Sequence, residues 1–364
     1  MAGASCCSFR IRRTATGFPP LLEPLAWHWG AESARLVASG HALPLLGGRF
    51  ACSLFAAVTV EEGEFGWRTP LTAREVAADP AFASALARLM AARPAPFDRP
   101  RIMAILNVTP DSFSDGGRFA PLPAAIAAAR AFIEEGADIV DVGGESTRPG
   151  SQPVAIEEEL ERVLPVVEAL SRDGIFVSVD TRKAAVARAA LAAGARMIND
   201  VSGLQYDPAL AEVVAEAGAF LVLGHSRGEP ATMNLAPTYR DCPLECFLEL
   251  ERSLARARSA GIAAHHLLAD PGLGFAKKEP HNLAILRHLG LFHGLGVPLV
   301  LGASRKGLTA RLERGYPPTA RLPASLAAAL LALERGFAVL RVHDVTATRQ
   351  LVDLFAALDS CAAS

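Results

Sequence analysis

A (β/α)8 TIM barrel preceded by a small α+β N-terminal extension is the fold class this sequence predicts, on three observations. From Arg101 onward, apolar strand-like runs alternate with helical patterns, many of them Ala-rich. The alternation makes eight strand–helix units in about 260 residues, the count and size of a closed parallel barrel. Nearly every strand ends in Asp, Asn, His, Lys or Arg. Eight loops ringing one mouth give that pattern, whereas an open doubly wound sheet would confine its polar chemistry to one switch point.

The unit that sets the pattern is Arg101–Gly117, an apolar run broken by Asn107, followed by a Gly- and Pro-punctuated loop and then a helix. Strands are expected at 101–107, 138–143, 176–180, 197–200, 220–225, 267–270, 298–303 and 339–343. Helices are expected at 121–135, 156–171, 183–193, 208–217, 243–260, 281–289, in pieces over 305–335, and at 346–358. Gly136, Gly194, Gly218, Gly261 and Gly336 stand where helix C-caps belong. The division reads as 1–96, an extension of unknown role, and 97–364, the barrel. Within the extension, 43–60 reads as a hairpin around Gly47-Gly48, 73–90 as a helix interrupted at Pro80, and 94–100 as a linker.

Composition narrows the functional class. Of 364 residues, 51% are hydrophobic and 20% charged, which suits a globular protein with a large core. A formal net charge of −2 argues against a nucleic-acid partner, though it leaves room for a local phosphate cleft. Six scattered cysteines without CxxC pairs predict free thiols and a cytoplasmic setting. No apolar run is long enough for a membrane span, and Arg10, Arg12 and Arg13 precede no secretory apolar region.

The strand ends carry the candidate site. Asp141 lies within the second strand, and Gly143-Gly144 turn the chain into a loop with Glu145, Ser146, Thr147 and Arg148, expected to move over the mouth. An Arg there suits phosphate or carboxylate, because its planar fork binds oxygens in pairs. Asp180 either serves the site or caps the next helix, and Asn199 either reads a heterocycle edge or forms a turn. His225 lacks partners at metal spacing and reads as a structural group. Asp270 precedes a Pro-Gly-x-Gly turn and is placed to accept two hydrogen bonds from a ligand. Arg341 and His343 alternate along one strand, so with Arg148 and Lys306 they form a cationic set around the same opening.

These residues resemble the dihydropteroate synthase family through Asn107–Gly117, Gly144–Gly150, Val179-Asp-Thr181, Ile198-Asn-Asp200, Asp270-Pro-Gly272 with Gly274-Phe275, Ser304-Arg-Lys306 and Arg341–Val345. The resemblance covers 101 to about 358 and leaves out the extension. It implies condensation of 6-hydroxymethyl-7,8-dihydropterin pyrophosphate with 4-aminobenzoate, Mg2+ accompanying the pyrophosphate, a homodimer, and competition by sulfonamides at the aminobenzoate site. By the same resemblance Asp180, Asn199, Asp270 and Lys306 read the pterin, Asn107 holds the metal, and Arg148, Arg341 and His343 bind the diphosphate. Asp115 steadies the reacting carbon; Phe113, Thr147, Arg148, Pro149 and Phe275 line the aminobenzoate pocket, with Lys306. Arg341→Ala is expected to nearly abolish turnover while leaving the fold intact.

The sequence departs from the family at Gly224-His225-Ser226, where Met-His-Met is frequent, at Gly307, often Ser, and at Leu273, often Phe. Two rivals follow: a non-catalytic pterin-binding paralogue, and a methyltetrahydrofolate-dependent methyltransferase, which would lack the two long loops and the cation set.

Overall fold

The computed structural model describes residues 20–61, 64–67, 70–109, 122–146, 151–229, 231–307 and 315–360. The extension supplies β1 (Leu21–Pro24), β2 (Trp27–Trp29), α1 (Gly30–Ala38), β3 (Leu43–Leu45), β4 (Phe50–Cys52), β5 (Leu54–Glu61), β6 (Glu64–Trp67), β7 (Leu71–Thr72), α2 (Ala73–Ala78) and α3 (Ala83–Met90). The barrel strands are β8 (Arg101–Asn107), β9 (Ile139–Gly143), β10 (Val177–Asp180), β11 (Met197–Asp200), β12 (Phe220–Gly224), β13 (Leu267–Asp270), β14 (Val300–Leu301) and β15 (Val339–Val342). Between and after them run α4 (Leu122–Glu134), α5 (Ile156–Arg172), α6 (Ala184–Ala192), α7 (Leu210–Ala217), α8 (Cys242–Ser259), α9 (Glu279–Arg287), α10 (Leu322–Glu334) and α11 (Val345–Ser360).

All eight barrel strands pair in parallel, in the order β13-β12-β11-β10-β9-β8-β15-β14. A parallel bridge between Ala269 and Leu299 joins the two ends and closes the ring. Strand alternation sends every second side chain inward. A lower interior layer of Met103, Ile139, Met197, Val222, Leu268, Val300 and Val339 packs with Phe97 beneath it. Two residues further along four of these strands the inward position turns polar: Asp141, Asn199, Asp270 and Arg341. The outward residues pack instead with the helices in a separate apolar cluster that includes Ile102, Ala104, Val140, Val142, Val179 and Ile198. The barrel is therefore filled below and chemically open above.

The helix ends follow the sequence closely. Gly136, Gly194, Gly218, Gly261 and Gly336 all adopt positive φ, which costs glycine little. Glu157, Glu158 and Glu159 occupy the first turn of α5, where the helix dipole favours them. Strand 298–303 is shorter than its apolar run suggests, because Pro298 has no N–H to give a ladder and Gly302 ends the run.

The extension differs more from its reading. β3 and β4 form the expected hairpin, Leu45 facing Phe50, but the second apolar run breaks at Ser53. β5 then joins a different sheet, between β1 and β6 with β7 alongside. This extension packs against the end of the barrel remote from the mouth. His288 Nδ1 lies 2.8 Å from the buried Glu23 carboxylate. The Arg93 guanidinium donates to the His293 carbonyl at 3.2 Å, and Trp29 meets Phe355 in a tilted ring contact at 5.2 Å between centroids. Leu22, Phe50 and Phe55 share one apolar cluster with Leu291, Phe292 and Phe337. Deleting residues 1–96 uncovers that surface, so the truncated barrel is expected to aggregate on expression. A soluble, monodisperse truncation on a sizing column would contradict this.

Candidate functional site

The mouth is organised around an ion-paired chain rather than around separate strand ends. Asp141, fully buried inside the barrel, accepts on Oδ2 from Asn199 Nδ2 at 3.0 Å and from Arg341 Nε at 2.6 Å. Arg341 Nη2 donates to Asp180 Oδ2 at 2.7 Å. Burial would lower the affinity of this guanidinium for its proton, but Asp141 and Asp180 outweigh it and hold the pKa up. Asp180 shows the opposite balance: burial pushes its carboxyl up to about 7, further than Arg341 pulls it down. The Oδ1 atoms of Asp141 and Asp180 are buried with no hydrogen-bond partner among the described residues. Such acceptors are costly unless something with N–H groups meets them.

Asp270 and Lys306 form the facing wall. Asp270 Oδ1 accepts the Gly272 amide at 2.7 Å, and burial raises its pKa while Lys306 opposes the rise. A side chain at Gly302 would lie 3.5 Å from Asp270 Oδ2 and 3.8 Å from Lys306 Nζ, so this glycine leaves the space between them clear. Lys306 donates to the Leu273 carbonyl and stands 4.3 Å from the centre of the Phe275 ring. Burial brings its ammonium down to about 7 even though Asp270 supports the charge. Asn107 and Asp180 flank Gly143, where an added Cβ would be 3.5 Å from Asn107 Oδ1 and 3.6 Å from Asp180 Cβ. His343 follows β15, with its backbone N–H and Nδ1 each 3.1 Å from Ser304 Oγ.

Asn107, Asp180, Asn199, Asp270, Phe275, Lys306, Arg341 and His343 thus sit on strand ends or first loop turns at one end of the ring. Phe113, Asp115, Thr147, Arg148 and Pro149 lie outside the described residues. Glu145 is corrected from a mobile loop residue to a buried anchor. It accepts from Arg182 Nε at 3.0 Å, Lys183 Nζ at 2.7 Å and the Val154 amide at 2.9 Å. Lys183 also reaches Glu159 at 2.5 Å. Asp200 is a turn former, taking the amides of Ser202 and Leu204. His225 is structural as read, its Nε2 2.9 Å from Glu249.

Sequence reasoning passed over Asp141 as a site residue. Its signal was parity: it is two residues from Ile139 and from Gly143, on the inward face.

One glycine of the Asp270 turn has no room for a side chain. Gly272 has φ +71°, and an added Cβ would fall 2.0 Å from the His225 carbonyl oxygen. Gly272→Ala must therefore move backbone as well as carry left-handed strain of about 1–3 kcal/mol. It is expected to lower the thermal midpoint sharply; a variant that melts like the parent would refute the tight approach.

The profile of pterin-binding enzymes matches residues 103–343. Dihydropteroate synthase of Escherichia coli strain K12 is 46% identical over 250 residues, covering 68% of this chain and 88% of that protein. Among solved structures, Xanthomonas albilineans dihydropteroate synthase with 4-aminobenzoic acid superposes with a TM-score of 0.69 at 45% identity, covering 73% of this chain and 95% of that one. The Yersinia pestis dihydropteroate synthase sulfonamide complex also gives 0.69, at 42% identity, covering 73% and 96%. No helix among the described residues is long and apolar enough to cross a membrane.

Proposed function

Because the chain belongs to the dihydropteroate synthase family of pterin-binding enzymes, we propose that it joins 6-hydroxymethyl-7,8-dihydropterin pyrophosphate to 4-aminobenzoate, yielding 7,8-dihydropteroate and pyrophosphate. The observation that carries this reading is the buried, unpartnered Oδ1 of Asp180, paired in register with Asn199 at the mouth that also holds Asp270 and Lys306. A flat amino-pyrimidinone edge offers the N–H donors that the carboxylates lack and the acceptor that Lys306 and Asn199 need.

In this reading Asp180, Asn199 and Asp270 bind and orient the pterin, while Lys306 donates to its keto oxygen or ring nitrogen. Arg341 exchanges part of its hold on Asp141 and Asp180 for the diphosphate, assisted by His343 and Arg148. The C–O bond to the diphosphate breaks with its electron pair leaving on oxygen, and Asp115 steadies the positive methylene. The aniline nitrogen then attacks that carbon and its proton passes to solvent. Phe275 and Lys306, with Phe113, Thr147, Arg148 and Pro149, line the arylamine pocket where sulfonamides would compete.

Mg2+ is the ion proposed with the diphosphate. Among the described residues no group of three or more His, Cys, Asp or Glu is placed to hold a metal. A single hard oxygen, Asn107 Oδ1, beside Gly143 fits an ion that keeps most of its shell as water and phosphate oxygens. Such an ion would neutralise charge on the departing group.

Two further features belong to the proposal. A cytoplasmic setting agrees with the free thiols of Cys52, Cys242 and Cys246. A homodimer agrees with neighbouring helices α10 and α11, which expose Leu330, Leu331, Leu354 and Leu358.

The defining experiment incubates the purified chain with both substrates and follows 7,8-dihydropteroate and pyrophosphate in equal amounts. Pterin binding without pyrophosphate release would instead identify the non-catalytic paralogue.

The pH profile is a second test. Asp180 must be ionised to accept pterin N–H groups, and Lys306 donates strongly only as the ammonium. Both sit at about 7, so kcat/KM is expected to fall below neutrality as Asp180 takes a proton and above it as Lys306 loses one. A flat profile from pH 6 to 8.5 would count against both assignments.

A further inference from the structure

Behind the pterin wall, and outside the machinery described so far, lies a buried group with chemistry of its own. Cys242 and Cys246 face each other across the first turn of α8, their Sγ atoms 3.8 Å apart. Cys246 Sγ is 3.5 Å from His225 Nδ1, and Lys277 Nζ is 2.8 Å from that same nitrogen. A lysine ammonium only donates, so Nδ1 accepts from it and Nε2–H points to Glu249. Lys277 also donates to the carbonyls of His225, Gly272 and Phe275, at 3.2, 3.0 and 3.0 Å. One buried ammonium thus ties the cysteine pair to the turn that carries Phe275.

We propose that Cys242 and Cys246 form a reversible dithiol–disulfide couple, oxidised by small hydroperoxides, that loosens the Phe275 turn through Lys277. The two sulfurs are unequal. Burial would push the Cys246 thiol up, but the hydrogen bond from Cys242 and the Lys277 ammonium outweigh it and hold it well below the ordinary thiol value. Cys242 is held up, first by its hydrogen bond to Cys246 and then by burial. Cys246 is therefore the nucleophile and Cys242 the resolving thiol.

The Cys246 thiolate attacks the terminal oxygen of the hydroperoxide; an S–O bond forms, the O–O bond breaks, and the leaving alkoxide, or hydroxide from hydrogen peroxide, takes a proton to become an alcohol or water. Cys242 sulfur then attacks the sulfenic sulfur; the S–S bond forms, the S–O bond breaks, and water leaves with the Cys242 proton. Two electrons pass from the thiols to the peroxide.

Geometry makes the product labile. Residues four apart on a helix hold their Cβ atoms roughly 5–6 Å apart. A relaxed disulfide wants about 3.5–4.5 Å, so closure must distort the first turn of α8 and its Asp241 cap on the Leu244 amide. Strained disulfides are readily reduced, which suits a switch. Closure also removes the negative charge facing Lys277, and the ammonium's hold on the Gly272–Phe275 turn weakens with it.

The test uses the full-length, pre-reduced chain. Hydrogen peroxide is added, remaining thiols are capped with N-ethylmaleimide, and tryptic peptides are weighed; Asp241–Arg252 carries both cysteines. The expected result is that this peptide becomes two hydrogens lighter, with a several-fold rise in arylamine KM, kcat held and dithiothreitol restoring both. Cys242→Ala should remove the peroxide response, and Cys246→Ser serves if that variant does not fold. Persistence of both cappable thiols, or a disulfide without a KM change, would overturn the proposal. The KM arm rests on the proposed function and the mass arm does not, so failure of one is distinguishable from failure of the other.

Discussion

Arg341→Ala is expected to lower kcat/KM by about 10²–10³, the loss typical of removing a group that stabilises developing charge. The structure revises what else this change does. Sequence reasoning expected an intact fold, but Arg341 is the counter-ion of two buried carboxylates, Asp141 and Asp180. Removing one partner of a buried pair leaves uncompensated charge and costs about 3–5 kcal/mol. The variant should therefore unfold at lower denaturant than the parent as well as turn over slowly. With the guanidinium gone, Asp180 binds its proton more tightly in the fold than in the unfolded chain. Stability of the variant should then fall as pH rises from the unfolded carboxylate range through the folded value, a decline that continues to higher pH than the parent's. Denaturation curves across that pH range check the sign. Parent-like turnover in the folded variant would remove Arg341 from the reaction.

Asp270→Ala is the second large effect. A hydrogen bond to a charged group is worth about 1.5–3 kcal/mol, which corresponds to a rise in pterin KM of roughly 10- to 150-fold. The informative readout is the alkaline limb of the pH profile. Burial lowers the Lys306 pKa to about 7, and the Asp270 charge is the first influence that supports it. Without Asp270 the lysine should lose its proton at still lower pH, moving that limb toward acid. A variant with raised KM and an unmoved alkaline limb would show that the two groups do not act together.

Much of the site was legible because a polar residue that ends an apolar strand has few structural uses. Asp180, Asn199 and Asp270 stand out for that reason, Lys306 lies on the loop after β14, and the ring closure brings them together. Asp141 was harder to read because it sits mid-strand, where its role depends on Arg341, 200 residues away. The cluster of Glu145, Arg182 and Lys183 had the same difficulty: its bonds span 37 and 38 positions, and each charge alone reads as a solvated surface group. In the extension, β1 is a four-residue strand, Leu-Leu-Glu-Pro, too short and too poor in strand formers to signal itself. Without it, the apolar run after Ser53 had no visible partner and was merged with the hairpin before it.

The placement of the extension bears on how natural variation reads out. Glu23, Trp29 and Arg93 meet the barrel at the end where residues maintain the scaffold. Substitutions there change how many folded molecules a cell keeps, not how each one handles its substrates.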